Sequence, residues 1–75
     1  MGQVRDEQLL KDIALRVKAL REGSGFSQEE VYNATEIHVA RIETAKVNVT
    51  ISTLAKLCDF FEISLAEFFK PIHKS

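Results

Sequence analysis

The chain has a single cysteine, a single proline and only three glycines among its 75 residues, and it has no long apolar run. Each shortage excludes something. Cys58 alone cannot close an internal disulfide, which fits a reducing cytoplasm. So little proline and glycine leaves almost nothing that reads as linker. No apolar stretch approaches the roughly 18 residues that a membrane span needs. The N-terminus lacks the apolar core of a signal peptide. Met1-Gly2 opens like an acylation site, but Asp6 stands where serine or threonine is required.

Length and charge narrow the field further. Residues 1–75 read as one domain with a core from about 6 to 70. A chain this short buries roughly 60% of the surface its unfolded form exposes, which leaves one thin core and no deep catalytic cavity. The acidic pairs Asp6-Glu7 and Glu29-Glu30 are capping and solubility charges. The sequence holds no nucleophile–base–orienter set and no glycine-rich phosphate loop, so it predicts neither an enzyme nor a cofactor. His38 and His73 do not make a metal site with Cys58, which falls on a core-facing position. The net charge of -1 argues mildly against nucleic acid. It is a weak test, because what counts is whether the basic groups gather on one face.

What is present is helical periodicity. Leu10, Ile13, Val17 and Leu20 recur at spacings of 3, 4 and 3, one face of a helix from about Asp6 to Glu22 that Gly23-Ser24-Gly25 stops. Ser27 and Glu30 form a capping box that opens a second, short helix ending near Asn33 or Ala34. Thr35 can cap a third, with Ile37 or His38, then Val39 and Ile42, facing inward, to end near Thr44. Lys46 to Val49 read as a loop. Thr50 caps a fourth helix running to about Phe61, with Ile51, Leu54, Ala55, Leu57, Cys58 and Phe61 as its apolar face. Ser64 and Glu67 make a second capping box, opening a last helix that Pro71 limits. No segment alternates with period two. The expectation is an all-α, compact five-helix bundle, its second and third helices joined by a tight turn as in a helix-turn-helix.

An ordered set of segments then becomes specific. Arg16-Val17-Lys18-Ala19-Leu20-Arg21, Gly25-Phe26-Ser27-Gln28-Glu29-Glu30, Arg41-Ile42-Glu43, Asn48, Thr50-Ile51 and Leu54 resemble the phage repressor/Cro-type helix-turn-helix family, also called the xenobiotic-response-element (XRE) family. The resemblance runs from about Ile13 to Phe69 and implies a lambda-repressor-like bundle. One departure stands out. Between the Ser-Gln opening and the Ile-Glu pair, this chain is about three residues shorter than most members. Either the second helix or the start of the third has lost nearly a turn, since three residues span roughly 300° of helix. If the loss is in the third helix, Glu36 sits where glycine often lies.

The resemblance implies that the third helix lies in the major groove of double-stranded DNA and the second crosses the backbone. Gln28 would then meet a phosphate, helped by its own N–H at a helix N-terminus. Ile37, His38, Ala40, Arg41 and Thr44 would lie nearest base edges, and Lys46 and Asn48 would hold the strand beyond. Plainer readings stand beside these. Arg41 on an exposed face can be solvated, although arginine is the usual bidentate reader of guanine. His38 reads equally as a neutral imidazole at the core edge, and Lys46 and Asn48 as ordinary loop residues. The resemblance further implies that Arg21 and Glu43 form a buried structural salt bridge. Charge alone makes sense of that, because a glutamate near phosphates needs a cation beside it.

Two adjacent aromatic pairs, Phe60-Phe61 and Phe68-Phe69, point about 100° apart on a helix. One of each can fill the core while the other meets a partner, or one broad groove can take both. The first alternative predicts a homodimer through Leu65, Phe68, Phe69 and Ile72. The functional expectation is therefore a cytoplasmic, sequence-specific transcription regulator that binds a short palindromic operator as a homodimer. The alternative is an antitoxin or interaction module on the same scaffold, whose main contact is a toxin or other protein partner.

Overall fold

The computed structural model describes residues 6–72. The Met1-Gly2 segment and His73 lie outside them. Five helices follow in order: α1 (Glu7–Gly23), α2 (Gln28–Thr35), α3 (Val39–Ile42), α4 (Ile51–Phe60) and α5 (Leu65–Phe69), with no strand among the described residues.

Four of the five helices begin at a side-chain cap. Asp6 Oδ1 accepts from Leu9 N at 2.9 Å. Ser27 and Glu30 exchange both bonds of a capping box, at 3.0 and 2.8 Å. Thr50 Oγ1 accepts from Thr53 N at 3.1 Å, and Ser64 and Glu67 form the second box at 3.0 Å each way. Each cap satisfies N–H groups that the first turn of a helix leaves without partners. After α1 the chain reverses through Gly25, whose φ of 80° suits a residue without a Cβ.

The third helix departs from expectation. Thr35 does not cap it. Thr35 is buried at the end of α2, donates from Oγ1 to the Val31 carbonyl at 2.8 Å and accepts from Ile37 N at 3.1 Å. Its hydroxyl closes α2 instead of opening α3. Glu36 then turns the chain in the left-handed region, at φ 62° and ψ 17°. His38 precedes α3 without a side-chain capping bond, and α3 itself is a single turn of four residues. With Glu36 in the left-handed turn where the resemblance puts glycine, and α3 reduced to one turn, the shortening falls at the start of the third helix.

The core is one cluster containing Ile13, Val17, Val31, Val39, Ile42, Leu54, Leu57, Cys58 and Phe68. Helix α1 packs on α3, α2 on α3 and α4, and α4 on α5. Ile51, expected on the inner face of α4, stands 64% exposed at its first position, outside the buried set that begins at Leu54. Phe68 corrects the interface expectation: it is 1% exposed and fills the core. Phe60, Phe61 and Phe69 pack against the same core. The two adjacent pairs meet edge to face, with centroids 5.1 and 5.0 Å apart. Phe68 goes fully inside while the other three stay half-buried at the edge of the core, and among the described residues the most exposed large apolar side chain is Leu15 on α1, at 68%.

Arg16 ties the ends of the bundle together. Its Nε donates to the Phe68 carbonyl at 2.9 Å and its Nη2 to the Glu67 carbonyl at 3.1 Å. A cation among carbonyls at the C-terminal end of α5 is favourably placed in the helix field.

Candidate nucleic-acid interface

The turn from α2 to α3 is held from below by charge. Arg21, near the end of α1, donates from Nε to Glu43 Oε2 at 2.8 Å and from Nη2 to Glu43 Oε1 at 3.0 Å. Its Nη1 donates to the Phe26 carbonyl at 2.9 Å. Glu43 follows α3 directly and also accepts from Gln28 Nε2 at 3.0 Å. One carboxylate thus joins the end of α1, the start of α2 and the end of α3. Burial pushes the Glu43 carboxyl up. The hydrogen bonds from Arg21 and Gln28, together with the positive charges of Arg21 and Lys18, outweigh burial and hold it below the ordinary carboxylate range. The Arg21 guanidinium is raised by the same hydrogen bond.

Above this network α3 is flanked by two open grooves of about 300 and 280 Å³. These are at or below the lower end of small-molecule sites. Ile37, His38, Arg41 and Asn48 line the first, with Glu36 at its side. Gln28, His38 and Ala40 line the second, with Glu29 and Tyr32. His38 alone among the expected readers belongs to both. Ile37 packs partly against the core, so it shapes its groove more than it projects from it.

Thr44 and Lys46 are arranged differently from the others. The Thr44 hydroxyl donates to the Arg41 carbonyl at 2.6 Å and accepts from Lys46 N at 3.2 Å. Its donor closes the exit of α3, and Ala45 follows at φ 63°. Lys46 is exposed in the loop beyond, and neither groove includes it.

Tyr32 is the residue that sequence reasoning missed. It is 39% exposed, and its ring stacks on His38 with centroids 4.4 Å apart and planes 29° from parallel. One available signal was its position four residues after Gln28 on α2, which puts both on one face. Glu36 and Glu29 bring acid to both grooves, so the surface is mixed in charge. Cys58 takes no part in it: burial first, then Asp59, pushes its buried thiol up. Among the described residues no cluster of His, Cys, Asp and Glu is placed to hold a metal, and no helix is long and apolar enough to cross a membrane.

Comparisons with curated proteins and with solved structures give no match. The helix-turn-helix family model matches residues 17–68, well over half the chain and inclusive of every helix from the second half of α1 to the end of the core at Phe68. The chain therefore belongs to the helix-turn-helix family, as a DNA-binding regulator domain of the Cro/repressor, XRE type.

Proposed function

We propose that the protein is a cytoplasmic transcription regulator that binds a short palindromic duplex site as a homodimer, without catalysis or cofactor. The observation that carries this reading is the position of Arg41. Val39 and Ile42 are buried, so Arg41 and Ala40 are the outward residues of α3, and Arg41 shares its groove with His38, Ile37 and Asn48. Gln28 holds Glu43 with one amide N–H and keeps a second for a phosphate. Lys46 and Asn48 extend the surface along the strand, and Thr44 supports it through the α3 exit. Leu65, Phe69 and Ile72, all half-buried, are the homodimer face. Two copies would set their α3 turns near one helical repeat apart, about 34 Å.

The test is fluorescence anisotropy with duplexes from upstream of the protein's own gene against random duplex. Preference for one fragment is the expected result. If a dimer neutralises about six phosphates, log K should fall against log salt with a slope of roughly -5. Equal binding to all duplexes at moderate salt would sink the regulator reading. Sedimentation showing only monomer at high micromolar concentration would end the homodimer.

A second reading, a protein-interaction module or antitoxin whose main contact is a protein, draws on a specific observation. The third helix is one turn long, and Glu29 and Glu36 line the grooves beside it. Co-purification with the product of an adjacent toxin gene, without operator binding, would favour it.

A further inference from the structure

A one-turn α3 leaves little to read with. Two of its four residues, Val39 and Ile42, are in the core, and Ala40 offers only a methyl group. Arg41 is then the sole polar reader on the helix itself. The residue immediately before, His38, is exposed and borders both grooves. No capping bond spends its side chain, and its contact within the fold is the Tyr32 ring. An imidazole at the end of a turn rotates about two torsions and would discriminate poorly. Here it is not free to do so. Tyr32 stands on α2, a helix fixed at its start by a full capping box and at its end by the Thr35 bond to Val31. The stack at 4.4 Å and 29° holds the His38 ring against that helix.

We propose that Tyr32 is a positioning residue for specificity: its stack on His38 replaces the missing first turn of the reading helix and aims the imidazole at a base edge beside the one Arg41 meets. This rests on the DNA-binding reading above. An imidazole carries an N–H donor, and in the major groove the purine N7 and the guanine O6 accept. The chemistry that fits is therefore a purine step, with Arg41 on one base and His38 on its neighbour. Stacking fixes the ring plane without using either nitrogen, and this leaves both for DNA.

The experiment is selection from a randomised duplex library, followed by affinity measurements on the selected and on random duplex. The variants are Tyr32→Phe, Tyr32→Ala, His38→Ala and the Tyr32→Ala/His38→Ala double. Tyr32→Ala and His38→Ala should each lose roughly tenfold on the selected duplex and relax preference at the same base pair. The double should lose no more than either single, because both remove one coupled contact. Random-duplex affinity should stay within about twofold, and Tyr32→Phe should behave as wild type. In the free protein, the His38 ring protons should be shifted upfield by the Tyr32 ring current. That measurement needs no variant to fold and no DNA. Equal loss on selected and random duplex would make Tyr32 a phosphate contact and overturn the proposal, as would additive losses in the double or an unshifted imidazole. A wild type that selects no sequence overturns the regulator reading and this inference with it. A wild type that selects a sequence which Tyr32→Ala also selects overturns this inference alone.

Discussion

Arg21 and Glu43, 22 residues apart in sequence, meet through two nearly parallel hydrogen bonds of 2.8 and 3.0 Å. Both side chains are largely removed from solvent, 11% and 7% exposed. This fork geometry is the strongest that an arginine makes with a carboxylate. It joins the first helix to the end of the third, and through Gln28 to the start of the second. Removing one partner leaves the other buried and uncompensated, at about 3 kcal/mol, the lower end of the range for such pairs. Arg21→Ala and Glu43→Ala should therefore each lower the melting temperature by more than 10 °C, at about 4–8 °C per kcal/mol. Replacing both by apolar residues of similar volume should recover much of the loss. A thermal scan of the two singles and the double checks this.

The same pair sets an acid limit. The folded-state pKa of Glu43 lies below its unfolded value. Its contribution is therefore complete above the unfolded carboxylate range and is lost as pH falls through that range to the folded value. Wild type should lose stability steeply on acidification below the ordinary carboxylate range. Glu43→Gln should start less stable and lose less over that interval. Urea midpoints across a pH series measure the difference. A Glu43→Gln protein that melts like wild type but fails to bind its operator would instead make Glu43 a DNA-contacting residue.

Glu36 occupies a left-handed conformation that favours glycine, and it borders the groove of Arg41. Glu36→Gly should relieve strain of about 1 kcal/mol, less a few tenths for added freedom in the unfolded chain. The melting temperature should rise by roughly 3–6 °C. The lost charge should tighten DNA binding as well. Glu36→Gln separates the two effects: affinity should rise while the melting temperature stays near that of wild type.

Arg16 binds two main-chain carbonyls at the end of α5. Arg16→Ala should cost about 1.5–2 kcal/mol, the low part of the range for hydrogen bonds to a charged group. Protection of the α5 amides in hydrogen exchange should fall first, before that of α2. DNA affinity should not change at temperatures where the variant is folded.

Arg41 and Lys46 should separate reading from holding. Arg41→Ala should cost about 1–3 kcal/mol on the preferred duplex and relax selection at one base position. Lys46→Ala should weaken all duplexes about equally and reduce the salt slope by roughly 1 for each Lys46 that is lost. If Arg41→Ala leaves operator affinity unchanged, the α3 turn faces the duplex another way.

Four helices and the all-α class were legible in the residues themselves. Leu10, Ile13 and Val17 mark the inner face of α1 by spacing, and Asp6, Ser27, Thr50 and Ser64 cap their helices through bonds three residues long. Such signals are local, so a stretch of a few residues contains all the atoms that decide them. The third helix and its inner residues Val39 and Ile42 were legible as well, but its start was not, because Thr35 has two local uses for one hydroxyl. It can open a helix ahead of it or close the helix behind it. Burial against the Val31–Val39 core selects the second, and that choice places Glu36 in the left-handed turn and reduces α3 to Val39–Ile42. The aromatic pairs were open in the same way. Phe68 and Phe69 are equivalent by sequence, and only the shape of the groove between α1, α4 and α5 sends one fully inside and leaves the other at its edge. The Tyr32–His38 stack also belongs to tertiary structure: the five residues between the rings cross a turn whose direction depends on how α2 ends and where Val39 is buried.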